Sequence, residues 1–137
     1  MKRGLRRQRQ ELQRPVRPRV QPELQLPLLL RRGKSEFEPL RACGPPLGVM
    51  DNMTYTTRSI AFEPGDMLFL YTDGVTEAED PDSGQFGTQR LEQILLAMRG
   101  EPAGKVVEKL IEQVAVFANG AVQSDDITCI AIVRDER

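Results

Sequence analysis

The stretch that decides the fold is Gly65–Glu77, which reads Gly-Asp-Met-Leu-Phe-Leu-Tyr-Thr-Asp-Gly-Val-Thr-Glu. Its apolar run leads directly into Thr-Asp-Gly and follows the turn residues Glu63–Asp66. An apolar run between turn signals predicts a strand over Met67–Thr72, buried on both faces. Asp73 then lies at the rim of the sheet, where Gly74 permits a positive backbone φ and the close approach of a ligand.

A second acidic pair, Asp125-Asp126, precedes the apolar run Ile127–Val133, which predicts the last strand. Two carboxylates at the ends of two buried strands can be brought together in space, and hard divalent cations bind carboxylate oxygens. Each acidic position also has a plain structural explanation. Asp73 is followed by glycine, a common turn dipeptide, and the adjacent pair can cap a turn or lie in solvent. Two adjacent aspartates repel each other, and a cation relieves that repulsion.

Composition limits the fold and the kinds of chemistry. The chain has 137 residues, 39% of them hydrophobic, and no tryptophan, which fits one domain with a modest aliphatic core. Histidine is absent, so histidine-based zinc sites, Ser-His-Asp triads and Cys-His dyads are excluded. Cys43 and Cys129 stand far apart, which favours reduced thiols in a cytoplasmic protein. The sequence also contains no apolar run long enough to cross a membrane.

Charge divides the chain into two unlike parts. Residues 1–34 carry eleven basic and two acidic residues, a net +9, whereas residues 35–137 carry eight basic and eighteen acidic ones, a net −10. Residues 1–23 are rich in Arg, Gln and Pro, which predicts a disordered basic leader ahead of a domain over 24–137. Arginine clusters attract phosphate, but no aromatic residue lies among these arginines to stack on bases, which disfavours nucleic acid as a partner.

Strand patterns predict a mostly antiparallel sheet. Leu26–Arg31 and Phe37–Leu40 form a predicted hairpin around the turn Gly33-Lys34. The alternating, β-branched segment Thr54–Phe62 predicts a further strand.

Two amphipathic helices are predicted between Asp73 and the last strand. The first begins at Gly87-Thr88, with Thr88 as its N-cap, and ends at Gly100. The second runs from about Pro102 to Asn119-Gly120. The order of elements predicts an α+β fold in which two helices pack on the sheet.

Five groups of residues occur in one order that resembles a known family. The chain is similar to the carboxyl-terminal part of bacterial PPM-type serine/threonine phosphatases, in the branch of stage II sporulation protein E and sigma-factor regulators. The resemblance covers about Leu26 to Arg134. The residues that carry it are Gly44–Val49, Glu63–Asp66, Leu70–Ala78, Phe86-Gly87 with Arg90-Leu91, and Ser124–Thr128.

The resemblance implies a fold, a cofactor and a reaction. It implies part of a β-sandwich flanked by helices, with a two-metal Mn²⁺ or Mg²⁺ centre that activates water and clamps phosphoryl oxygens, so that no protein nucleophile is required. Asp73 and Asp125 occupy metal-ligand positions of the family, Gly74 can add a carbonyl, and Asp126 supports the site. The implied substrate is phosphoserine or phosphothreonine on a regulatory protein such as an anti-sigma-factor antagonist.

Departures from the family pattern leave two functions open. An Asp-Gly motif expected well upstream of Asp73 has no counterpart, since Asp51 and Asp66 both fall in predicted loops. The expected Asn-Ala-Gly-His segment is replaced by Pro22–Gln25. The chain thus resembles about the second half of a catalytic domain, as expected from a truncated gene, a mis-set start or a split domain. It is either a phosphatase whose activity is in question or an inactive remnant that binds partners in sigma-factor regulation.

Two other phosphate-handling families do not fit these residues. A haloacid-dehalogenase phosphatase needs a nucleophilic aspartate two positions before Asp73, where this chain has Tyr71. A response-regulator receiver needs an acidic pair near the first strand and a late lysine, and neither is evident.

Overall fold

A computed structural model describes residues 26–41, 44–123 and 125–135. The predicted leader, residues 1–23, and Cys43 lie outside the described residues, so the predictions made for them stay predictions. The elements in chain order are β1 (Leu28–Leu30), β2 (Phe37–Pro39), β3 (Met67–Tyr71), α1 (Asp73–Thr76), α2 (Gly87–Ala97), α3 (Ala103–Ala118) and β4 (Cys129–Val133).

The four strands form one antiparallel sheet in the order β2-β1-β3-β4. β1 and β2 are the predicted hairpin: Gly33 has a φ of 73°, and the N–H of Lys34 donates to the carbonyl of Arg31 at 3.1 Å. β3 lies in the centre of the sheet and pairs with both β1 and β4. The predicted α+β fold with an antiparallel sheet is confirmed.

The core lies between one face of the sheet and the helices. Met67, Phe69 and Tyr71 of β3 are buried on that face, whereas Leu68 and Leu70 on the other face are only half-buried. The prediction of a strand buried on both faces is therefore wrong. The helices and the loop before α2 contribute the buried side chains Phe86, Leu91, Leu95, Val106, Leu110 and Val114.

Both long helices form where their apolar periodicity predicts them, but one cap differs. α2 begins directly after Phe86, and no side chain caps it, so Thr88 is not the N-cap. Phe86 is buried instead and meets Phe117 of α3 edge to face, with ring centroids 5.5 Å apart. Asn119 is the C-cap of α3, and its φ of 45° is left-handed, as its Asn-Gly sequence predicts. Within the described residues, no helix has the length and apolarity that a membrane crossing requires.

The strand predicted over Thr54–Phe62 is absent. Within residues 44–66, which are all described, no residue belongs to a strand, and most side chains from 47 to 61 are exposed. The carbonyls of Ala61 and Phe62 accept hydrogen bonds from the guanidinium groups of Arg31 and Arg134. β-branched residues supply strand propensity, but a strand also needs a partner edge and a face to bury, and this segment has neither in the described structure.

Candidate metal centre

Two acidic segments, one at Asp73 and the other at Asp125-Asp126, lie at the same end of the sheet. β3 ends at Tyr71, which is paired with Cys129 at the start of β4. One residue further, the N–H of Thr72 donates to the carbonyl of Thr128 at 3.0 Å. Asp73 follows the end of β3, and Asp125 and Asp126 precede the start of β4. Because the two strands are antiparallel, these acidic residues come at the same end of the sheet.

Gly74 brings these two segments into contact. A Cβ atom on Gly74 would lie 2.4 Å from the carbonyl oxygen of Asp126 and 3.5 Å from that of Asp125. No side chain fits at such a distance, so the sequence has glycine here because another backbone passes close by. The predicted positive φ at Gly74 is wrong, because this residue lies inside α1 and is not among those with positive φ.

Asp73 is the first residue of the single turn α1. Its carbonyl accepts hydrogen bonds from the N–H of Glu77 at 2.8 Å and from the hydroxyl of Thr76 at 3.2 Å. Its side-chain Oδ1 is buried and has no hydrogen-bond partner among the described residues. A buried carboxylate oxygen without a partner is costly, because it loses its hydration and gains nothing in return. The oxygen of Asp73 therefore fits a cation ligand.

The second acidic segment offers a half-buried carboxylate and an exposed one. Asp125 is half-buried, and its Oδ1 accepts the N–H of Asp126 at 2.7 Å. Its carbonyl accepts from the side chain of Gln123 at 2.6 Å. Asp126 is exposed, and its carbonyl accepts the hydroxyl of Thr72 at 3.2 Å. Asp126 thus contacts Thr72 and Gly74 through its main chain.

The residues that are present fit part of a metal site. Among the described residues, no group of three or more His, Cys, Asp or Glu side chains is arranged to hold an ion. A hard divalent ion takes about six oxygen ligands, and water supplies those that the protein does not. Asp73 and Asp125, with a carbonyl such as that of Gly74, can supply several of these oxygens.

Asp66, at which the sequence predicts a loop, is a buried structural carboxylate. It accepts three hydrogen bonds: from the N–H of Arg32 at 2.8 Å, the N–H of Glu63 at 2.9 Å and the guanidinium of Arg31 at 2.9 Å. Burial is the largest influence and raises the pKa of Asp66, but the two backbone donors and Arg31 together outweigh it, so the net pKa is lowered. The sequence contains one signal for this ion pair. Asp66 directly precedes β3 and Arg31 directly follows β1, and the antiparallel pairing of these strands places the two opposite charges side by side.

Comparison with known proteins identifies the family. A family model described as Stage II sporulation protein E (SpoIIE) matches residues 23–135. The chain belongs to the SpoIIE family. Protein IcfG of Synechocystis is 38% identical over 96 residues, which cover 70% of this chain and 15% of that protein.

Two solved phosphatase domains share the fold of this SpoIIE-family chain. The SiaA-PP2C domain of Pseudomonas aeruginosa matches with a TM-score of 0.64 at 20% identity, over 80% of this chain and 43% of that one. The Mn-presoaked phosphatase domain of SpoIIE from Bacillus subtilis matches with a TM-score of 0.56 at 14% identity, over 82% and 47%. The predicted partial PPM-type (PP2C-like) fold is confirmed. The chain spans less than half of each of these domains and a small part of Protein IcfG.

Proposed function

We propose that this SpoIIE-family chain takes part in metal-dependent hydrolysis of phosphoserine or phosphothreonine on a regulatory protein, such as an anti-sigma-factor antagonist. The observation that carries the proposal is the buried Oδ1 of Asp73, which has no hydrogen-bond partner among the described residues and lies beside the segment of Asp125. A cytoplasmic location is part of the proposal and is supported by the free cysteine Cys129, because thiols stay reduced in that compartment.

Asp73, Gly74 and Asp125 would hold the cation, Mn²⁺ or Mg²⁺. When bound, such an ion activates water and neutralises charge on a phosphoryl group. Asp73 contributes a carboxylate fixed at the start of α1, and the main chain of Asp126 packs against Gly74. Both acidic side chains bring negative charge to one end of the sheet, where a cation offsets their repulsion.

The first experiment measures Mn²⁺ binding by isothermal titration calorimetry. We expect weak binding by the wild-type chain and none by Asp73→Asn, which keeps the size of the side chain but removes its charge. Glu108→Gln is the matched control, because it removes one carboxylate from the exposed face of α3. Equal Mn²⁺ affinity in the wild type and Asp73→Asn would refute the assignment of Asp73.

The second experiment measures hydrolysis of a phosphopeptide and of p-nitrophenyl phosphate with Mn²⁺. We expect a low rate from this chain, because two carboxylates supply only part of a two-ion site. Any hydrolysis that is due to this site should disappear in Asp73→Asn and persist in Glu108→Gln. Hydrolysis that is unaffected by Asp73→Asn would come from another source and would contradict the proposed site.

A second candidate function is binding of a phosphorylated partner without hydrolysis. It is favoured by the absence of a group of three metal-ligating side chains among the described residues. The two functions separate in one assay, in which a phosphorylated anti-sigma-factor antagonist is mixed with the chain and Mn²⁺. Complex formation with the phosphate retained indicates the binding module, whereas release of phosphate indicates the phosphatase.

A further inference from the structure

The side chain of Thr72 joins the two acidic segments through one buried hydroxyl. Thr72 is 5% exposed, and its Oγ1 accepts the N–H of Thr128 at 3.1 Å. The same oxygen lies 3.2 Å from the carbonyl of Asp126 and 3.4 Å from the carbonyl of Thr128. A hydroxyl has one proton and two lone pairs, so it can accept from Thr128 and donate to either carbonyl.

The backbone pairing of the strands does not depend on this hydroxyl. The N–H of Thr72 donates to the carbonyl of Thr128, and the β3–β4 ladder continues from Tyr71 and Cys129 onward. The hydroxyl adds a contact beyond the ladder, to the carbonyl of Asp126. The oxygen of that carbonyl would also lie 2.4 Å from a Cβ atom on Gly74. The hydroxyl of Thr72 therefore acts just before β4, where the chain comes from Asp125 and Asp126.

We propose that Thr72 is a positioning residue for the cation site: its hydroxyl fixes the segment Asp125-Asp126 beside Asp73. This inference rests on the proposed function for the identity of the ion. Thr72 itself need not touch the ion, because its hydroxyl is occupied by Thr128 and Asp126. Its effect on the ion is indirect and comes from the position it gives to Asp125.

The test compares Mn²⁺ affinity across substitutions that differ only in the hydroxyl or the methyl group. Thr72→Val keeps the β-branched shape and removes the hydroxyl, and it should weaken Mn²⁺ binding about tenfold, which corresponds to about 1.4 kcal/mol. Thr72→Ser keeps the hydroxyl and should bind within about twofold of wild type. Thr128→Val is the matched control, because its side chain is exposed and its backbone bonds to Thr72 remain.

Amide hydrogen exchange supplies a readout that does not require metal. In Thr72→Val, the amides of Asp126 and Thr128 should exchange faster, whereas those of Phe69 and Ala131 within the ladder should keep their protection. A general loss of protection would instead indicate a purely structural role. If Thr72→Val does not fold, Mn²⁺ should still slow exchange at Asp126 and Thr128 in the wild-type chain and in Thr72→Ser. Unchanged exchange at both amides in Thr72→Val, or in a wild-type chain that does bind the added Mn²⁺, would overturn the inference.

The outcomes separate this inference from the function on which it rests. If Asp73→Asn abolishes Mn²⁺ binding but Thr72→Val binds as tightly as the wild type, the metal site stands and the positioning role of Thr72 fails. If the wild-type chain does not bind Mn²⁺, the proposed function fails. The exchange rates at Asp126 and Thr128 in Thr72→Val then decide whether Thr72 holds the segment.

Discussion

At the scale of single residues, Asp66 is the clearest case of a charge that the fold stabilises. Burial raises the pKa of Asp66, but the backbone donors of Arg32 and Glu63 and the guanidinium of Arg31 together outweigh it, so the folded pKa lies below the ordinary value of 3.8. A lowered pKa means that the carboxylate contributes stability above about pH 4 and that this contribution is lost as pH falls through the folded pKa. Asp66→Asn should therefore lower the free energy of unfolding by about 1–3 kcal/mol at neutral pH. At least one of the three groups that donate to Asp66 would then face the NH₂ group of asparagine, which cannot accept a hydrogen bond.

The pH dependence of urea unfolding checks this prediction. The stability of the wild type should decline more steeply than that of Asp66→Asn as the pH falls below 3.8, and the two proteins should converge at still lower pH. Parallel curves across the whole range would show that Asp66 does not contribute through its charge.

Gly74 shows why a glycine can be required without a special backbone conformation. A Cβ at this position meets backbone atoms of Asp126 at 2.4 and 3.0 Å, and a backbone cannot rotate away as a flexible side chain can. Gly74→Ala should displace the segment of Asp125, cost about 1–3 kcal/mol of stability and weaken Mn²⁺ binding.

Gly104→Ala is the matched control for this change. Gly104 lies in α3 with nothing within 4 Å of an added Cβ, so alanine should stabilise the helix by about 0.5–1 kcal/mol. Thermal unfolding of both variants measures the contrast, and equal effects at the two positions would contradict the close contact at Gly74.

At the scale of secondary-structure elements, the sequence predicts the helices and turns that depend on local patterns of residues. α3 was predicted because its apolar residues recur at helical spacing and Asn119-Gly120 can end a helix. The hairpin was predicted from the turn at Gly33. The segment Thr54–Phe62 has the local pattern of a strand but no partner strand among the described residues, and strand partners are set by tertiary structure.

The candidate site could likewise be predicted only in part, because local patterns indicate some of its residues and tertiary contacts determine the rest. Asp73 and Asp125 were found because each adjoins an apolar run, and the structure places both segments at one end of the sheet. The contact of Gly74 with Asp126 and the hydroxyl bonds of Thr72 join segments that are far apart in the chain. No single-sequence pattern specifies such contacts. The ligand roles of the four predicted site residues stay predictions.

Asn119 offers an element-scale test at the end of α3. Its left-handed conformation costs most L-residues about 1–2 kcal/mol, whereas asparagine tolerates it and glycine adopts it freely. Asn119→Ala should therefore destabilise the chain by about 1 kcal/mol, and Asn119→Gly should be neutral or slightly stabilising. Urea unfolding of the two variants measures the difference. Equal stability of both variants would mean that the end of α3 is frayed in solution.

At the scale of the whole molecule, the sheet is covered unequally on its two faces. Toward the helices it buries Phe69 and Tyr71, which belong to the same core as Leu110 of α3. On the opposite face, Ile130 and Ile132 of β4 are 52% and 45% exposed. Stability should therefore come mainly from the helix side, since only area removed from water contributes.

Substitutions on the two faces of the sheet should therefore differ in their effect on stability. Leu110→Ala creates a cavity in the buried core and should cost about 2–5 kcal/mol. Ile132→Thr keeps a β-branched side chain at an exposed position and should change stability by about 0.5 kcal/mol or less. Urea unfolding at several protein concentrations tests both variants. A large, concentration-dependent loss in Ile132→Thr would show that another surface covers this face in solution, because an exposed isoleucine that stabilises the chain must be buried against something.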